Sequence, residues 1–166
     1  TSYIPTSGTS VTRNQDVCTN GGSLASINST EGVLYAEIAS ISNIENCQFG
    51  LFGNSISKQL RLGITNSIIR AQLFNGAYQT NMSSTQVVTN NNKIAFKYKE
   101  NDFALWINGV EVATDTSGVT FNPNELIKFN LTAQNNISVP FFGKTKCVAV
   151  WKEALSDEEL TELTTI

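Results

Sequence analysis

Residues 93–114, KIAFKYKENDFALWINGVEVAT, constrain the fold more than any other part of the chain. Ile94, Phe96 and Tyr98 alternate with Ala95, Lys97 and Lys99, the two-residue period of a strand with one buried face. After the short break Glu100-Asn101-Asp102, Phe103, Leu105 and Ile107 alternate in the same way with Ala104, Trp106 and Asn108. Asn108-Gly109 is the dipeptide best suited to a tight turn with positive φ at both positions, and Val110–Thr114 alternates again. The breaks are too short for anything but tight turns, so the stretch predicts an antiparallel meander.

Similar signals recur along the chain. Strands are expected at Val11–Arg13, Val33–Ala39, Phe49–Phe52, Leu60–Ile64, Ile68–Phe74, Gln86–Thr89, Leu126–Ala133 and Lys146–Lys152. Thr1–Ser10, rich in Ser and Thr and broken by Pro5 and Gly8, reads as an extended lead-in from a preceding domain. Residues 11–166 then form one domain, long enough for a two-layer core. The chain lacks an initiator Met and is expected to be part of a longer polypeptide. One helix is signalled, by the capping box Ser156-Asp157-Glu158-Glu159 flanked by Leu155 and Leu160. It should end near Thr164 and cover an end of the sheets, and Trp151 should pack beneath it. Three acids at its positive end suit the helix dipole. Many short strands and one terminal helix predict an all-β class, a two-sheet antiparallel sandwich of the jelly-roll type.

Charge and residue types narrow the chemistry. A net charge of −3 and the lack of a basic stripe argue against a nucleic-acid partner. No apolar run has membrane-spanning length, which argues against membrane insertion. The three cysteines, Cys18, Cys47 and Cys147, match no metal spacing and read as small, mostly buried thiols made in a reducing cytoplasm. With no histidine, Ser-His and Cys-His nucleophile systems are excluded.

Strand alternation sorts side chains into two kinds of face. Leu60, Leu62, Ile64, Ile69, Leu73, Ile94, Phe96, Phe103, Leu105, Ile107, Ile127, Phe129 and Leu131 make the apolar kind. Arg61, Arg70, Gln72, Lys97, Trp106, Lys128 and Asn130 make the polar kind. A Trp among cations and amides can stack a sugar ring and hydrogen-bond its hydroxyls. The candidate carbohydrate-binding residues are therefore Trp106, Arg70, Gln72, Lys97, Asn130 and Arg61. The competing reading is a covered face, with Trp106 anchoring the cover. Tyr78, in an Asn-rich loop, could reach a ligand from the rim.

The run NKIAFKYKENDFALWINGVEVA resembles the central strands of laminin-G-like domains of the concanavalin A-like lectin/glucanase superfamily. The closing GKTKCVAVWKEALSDEELTEL resembles their last strand and short helix. SYIPTSGTSVTRNQDVC, with INSTEGVLYAEIA after it, is similar to the start of such domains in bacteriophage and prophage structural proteins. The resemblance implies a concanavalin A-like jelly roll and a non-catalytic adhesion module of a virion tail or capsid protein. Its partners would be surface polysaccharides or other glycans and other virion subunits. The alternative is a structural domain making protein–protein contacts in a virion. Either would be made in the host cytoplasm and carried in the virion, or otherwise displayed outside the cell or at its surface. The superfamily's glucanases carry Glu-x-Asp-x-Glu on one strand, and this sequence has no such triplet. No cofactor is required, but laminin-G-like domains sometimes hold Ca2+, for which Asp102 and Asp115, with Asn108, are the candidates.

Overall fold

A computed structural model describes residues 8–10, 18–43, 46–133 and 136–166. The strand expected at Val11–Arg13 and most of the lead-in before Ser10 lie outside them.

The described chain forms strands β1 (Glu31–Ser40), β2 (Asn46–Phe52), β3 (Lys58–Thr65), β4 (Ile68–Asn75), β5 (Tyr78–Thr85) and β6 (Asn92–Lys99). There follow β7 (Phe103–Ile107), β8 (Val110–Asp115), β9 (Lys128–Asn130), β10 (Thr132–Ala133), β11 (Asn136–Pro140) and β12 (Gly143–Trp151). Helix α1 (Asp157–Thr164) closes the series. Two antiparallel five-stranded sheets stack as a sandwich. The first has strand order β12-β1-β6-β7-β8 and the second β5-β4-β3-β2-β9. The central meander is β6-β7-β8, and its β7–β8 turn uses positive φ at Asn108 (53°) and Gly109 (83°), as the dipeptide predicts. Asn66 (50°) and Ser67 (64°) turn β3 into β4 in the same way without a glycine.

Between the sheets lies one core. Leu34, Ala36 and Ile38 of β1, Phe96 and Tyr98 of β6, and Phe103, Leu105 and Ile107 of β7 meet Phe49, Leu51, Leu60, Leu62, Ile64, Ile69, Ala71 and Leu73 from the second sheet. Each such side chain is worth about 1.5–3 kcal/mol when fully buried. Every residue of the expected apolar face is buried here or, like the half-buried Phe129 and Leu131, packs against the core, except Ile127, which is half-buried outside it.

A second cluster lies outside the sandwich. Val33, Tyr35, Ala95, Ala104 and Trp106 project from the outer face of the first sheet and are sealed by Leu160 of α1, with Trp151, Leu155 and Leu163 around them. This explains why β1 and β7 carry apolar side chains on both faces and why β6 turns Ala95 outward beneath the helix. The helix therefore lies across a sheet face, not over an end. The Ser156 hydroxyl accepts from the Glu159 amide at 3.3 Å, and the Glu159 carboxylate accepts from the Ser156 amide at 2.8 Å, completing the predicted box.

Other expectations shift. Gln86–Thr89 is not a strand; β5 lies just before it, in a polar segment whose hydroxyl and amide side chains suit an exposed edge. The predicted strand Leu126–Ala133 is interrupted at Leu131, whose amide donates to the Cys18 carbonyl and whose carbonyl accepts from the Phe141 amide, and it splits into β9 and β10. None of the three cysteines is in a disulfide, and only Cys47 is buried; Cys18 is half-buried and Cys147 is exposed on β12.

Candidate functional site

The polar residues singled out by alternation do not share one surface. Lys97 and Trp106 project from the first sheet, whereas Arg61, Arg70, Gln72 and Asn130 belong to the second. The two sets lie on opposite sides of the sandwich.

Trp106 is only 7% exposed, closed off by α1, and its indole Nε1–H has no partner among the described residues. No ring face is left for a sugar. Lys97 is also 7% exposed, and its ammonium is held by Asp102 at 2.8 Å and Asp157 at 3.5 Å. Burial alone would lower its pKa, but the two carboxylates outweigh that and hold it above the ordinary lysine value. The Trp106–Lys97 half of the predicted surface is thus the seat of the helix, a correction that follows from the eight residues of α1 landing on it.

The calcium candidates are also dispersed. Asp102 is taken up by Lys97, and Asp115 accepts from the Ser117 amide and hydroxyl, both at 3.0 Å. Asn108 sits in the β7–β8 turn, at the far end of the hairpin from both, with its carbonyl oxygen on the Lys93 amide. Five strand residues separate the two ends, roughly 16 Å. Among the described residues no group of three acids or cysteines stands close enough to hold a metal ion.

The outer face of the second sheet keeps its predicted residues together. In one cross-strand row Asn130, Gly50, Arg61, Gln72 and Asn81 stand side by side; in the next are Gln48, Gly63, Arg70 and Ser83. Asn130 is committed to structure: it is 5% exposed and its side-chain oxygen accepts from the Asn20 amide at 2.8 Å. Gln48, Arg61, Arg70 and Gln72 are half-buried, and Asn81 and Ser83 are exposed. Arg61 donates from Nη1 to Gln48 Oε1 at 3.4 Å and from Nη2 to the Tyr78 hydroxyl at 3.1 Å. Gln72 donates to Asn81 Oδ1 at 3.0 Å. The Arg70 side chain has no hydrogen bond or ion pair to another described residue.

Tyr78 supplies the aromatic surface that Trp106 does not. A β-bulge brings it there: Leu73 faces Thr80 but Phe74 faces Tyr78, so Gln79 is extra. The slip turns Tyr78 to the outer face beside Phe74. The two rings meet edge-on with centroids 5.2 Å apart, and the Arg61 guanidinium carbon lies 6.0 Å from the Tyr78 centroid. Tyr78 is nevertheless 54% exposed. Its ring is backed on one side and open on the other.

Among the described residues the strands of this face carry no carboxylate, and the sequence states as much for most of them. Residues 46–99 hold six of the eleven Lys and Arg and none of the fourteen Asp and Glu. Sequence reasoning weighed only net charge and missed that run. It also placed Tyr78 in a loop, because Gly76 and the surrounding Asn residues disguise a polar strand.

A family model described as the concanavalin A-like lectin/glucanases superfamily matches residues 12–161. The chain belongs to that superfamily. No curated protein sequence matches this member significantly. Solved structures share its fold. The sialidase carbohydrate-binding module CBM40 of Ruminococcus gnavus, bound to α2,3-sialyllactose, superposes with a TM-score of 0.66 at 20% identity, over 82% of this chain and 83% of that one. The NanB sialidase from Streptococcus pneumoniae matches with a TM-score of 0.68 at 16% identity, over 86% of this chain but 25% of that chain. The binding domain of botulinum neurotoxin DC, in complex with rat synaptotagmin II, matches with a TM-score of 0.57 at 12% identity, over 81% and 35%.

Proposed function

We propose that this superfamily member is a non-catalytic carbohydrate-binding module whose site is the outer face of the second sheet. The observation that carries the reading is the exposed Tyr78, backed by Phe74 and braced by Arg61, beside Gln48, Arg70, Gln72 and Asn81. A sugar stacks its C–H face on the tyrosine and offers its hydroxyls to the amides and guanidinium groups. A sialidase-borne module of the same fold binds sialyllactose, which supports the class of ligand. The acid-free run 46–99 supports a binding rather than a hydrolytic role, since glycoside hydrolysis requires a pair of carboxyl groups across the bond.

A shallow face of this kind binds one sugar weakly, on the order of 0.1–1 mM, because water competes for every hydroxyl. Display in many copies restores useful avidity. We propose a phage or prophage virion as the setting, on the resemblance of the opening segments to virion structural proteins; detection of the chain in purified particles tests that placement.

The binding test is a glycan array probed with a multivalent form. The expected result is binding that Tyr78→Ala removes and Trp106→Phe leaves intact. A multimer that binds no glycan, while associating with virion subunits, would instead establish the structural-spacer role.

A further inference from the structure

We propose that this face selects carboxylate-bearing sugars, with Arg61 and Arg70 jointly taking the acid group. The inference rests on the carbohydrate-binding reading and specifies its ligand. Arg70 lies opposite Gly63, two residues along β3 from Arg61, so the arginines are diagonal neighbours on one face. Diagonal partners in an antiparallel pair stand about 7–8 Å apart, close enough for two long side chains to converge on one group. Between them is Gly63, across which Gln48 lies, so no β-carbon intrudes: one built on Gly63 would meet Gln48 Cγ at 3.0 Å.

Among the described residues neither guanidinium is paired with a carboxylate. Arg61 touches only the neutral acceptors Gln48 and Tyr78, and its Nε–H is buried without a partner among the described residues. Arg70 is held by nothing described. Elsewhere four lysines have found carboxylates: Lys58 with Glu125, Lys97 with Asp102 and Asp157, Lys99 with Glu31, and Lys146 with Glu37. In a chain of net charge −3, a face that pairs no acid with its two arginines is an anion site by charge as well as geometry. The planar fork of each arginine matches a carboxylate bidentately, which a neutral hydroxyl cannot exploit. Four acids of the C-terminal helix, Asp157, Glu158, Glu159 and Glu162, lie over the opposite sheet, where Lys97 pairs with Asp157.

The experiment uses the whole chain and two matched pairs, trigalacturonate and 3′-sialyllactose, each beside its carboxyl methyl ester, after an array of acidic and neutral glycans. Array signal is expected on carboxylate-bearing glycans, and the preferred acid should bind at least tenfold tighter than its ester, the preference shrinking with added salt. Arg70→Ala and Arg61→Ala should each abolish the acid preference, so that the variant binds acid and ester equally. Arg70→Ala is the cleaner variant, because that side chain holds no other described group in place. Equal binding of acid and ester overturns the inference and leaves the carbohydrate-binding reading standing. A sulfated galactan that binds more tightly than either acid overturns the carboxylate assignment. Binding to no glycan on the array overturns both readings together.

Discussion

Trp106→Ala is expected to cost stability and to leave the glycan site alone. Truncating a buried tryptophan costs about 3–5 kcal/mol in lost transfer energy and cavity formation. Two features of this site reduce the figure. Indole Nε1 is buried with no partner among the described residues, a standing penalty of about 1–3 kcal/mol that alanine removes. The covering helix is only eight residues long and can settle onto the smaller side chain. The net loss should therefore fall at about 2–4 kcal/mol. Trp106→Phe separates the contributions, since it keeps most of the apolar area and deletes the orphaned N–H. It should lie within about 1 kcal/mol of the native protein.

Urea unfolding followed by circular dichroism reads both. With a slope of about 1–3 kcal/mol per molar, the alanine variant should lower the midpoint by roughly 1–2 M and the phenylalanine variant by a small fraction of that. An alanine variant losing under about 1 kcal/mol would show that the helix does not bury the ring. A phenylalanine variant as damaged as the alanine one would show that the indole N–H has a partner. Most tellingly, Trp106→Phe that keeps its stability but loses glycan binding would return the site to the helix side and refute its assignment to the second sheet.

Three further outcomes follow from the packing. Ser156→Ala, which removes the α1 N-cap, should cost about 1 kcal/mol and red-shift the fluorescence of Trp106 and Trp151 as the helix frays; an unchanged spectrum with unchanged stability would count against the cap. Gly32→Ala should cost on the order of 3–5 kcal/mol and reduce soluble yield: φ is +154°, and a β-carbon would press on the Trp151 carbonyl and stand 2.7 Å from the Tyr98 hydroxyl. Stability should be level from neutrality down to about pH 5 and then fall. Hydrogen bonds from Lys146 and Asn91 hold Glu37 below its ordinary value of 4.5, and Lys58 does the same for Glu125. A carboxylate with depressed folded pKa stabilises above the unfolded value and loses that contribution as pH falls through the folded one. A Glu125→Gln variant should show a shallower acid decline, and an unchanged profile would deny that pair its part.

The sandwich was legible because its strands obey strict alternation and its turns carry Asn-Gly or Asn-Ser chemistry, both local properties of the chain. The helix was legible for the same reason, its capping box being four consecutive residues. The binding face was legible only strand by strand. Alternation tells that Arg61, Arg70 and Gln72 point away from the core, and that Trp106 and Lys97 do as well. It cannot tell which outward face belongs to which sheet, because that depends on pairing between residues tens of positions apart. Nor can it tell that α1 lands on Trp106. Tyr78 was hidden for a further reason: a one-residue bulge decides its face, and nothing in Tyr78-Gln79-Thr80 announces a bulge.

A sandwich has two outer faces, and this chain treats them oppositely. On the first sheet the outward positions of β1, β6 and β7 include Val33, Tyr35, Ala95, Ala104 and Trp106, a patch water cannot satisfy, and α1 covers it. Lys97, buried at the rim of the helix, is drawn into ion pairs with Asp102 and Asp157. On the second sheet the outward positions are Gln48, Arg61, Arg70, Gln72 and Asn81, and covering them with a helix would strand two guanidinium groups and three amides at several kcal/mol each. Solvent, or a ligand with equivalent hydrogen-bonding capacity, is the only cover such a face tolerates. Half-burial of Arg61 by Tyr78 and Gln48 limits its motion without neutralising it. A cation fixed in place and left uncompensated has part of the ordering cost of binding met before any ligand arrives. That is what separates this face from an ordinary solvated surface, where arginines swing freely and order only at the ligand's expense.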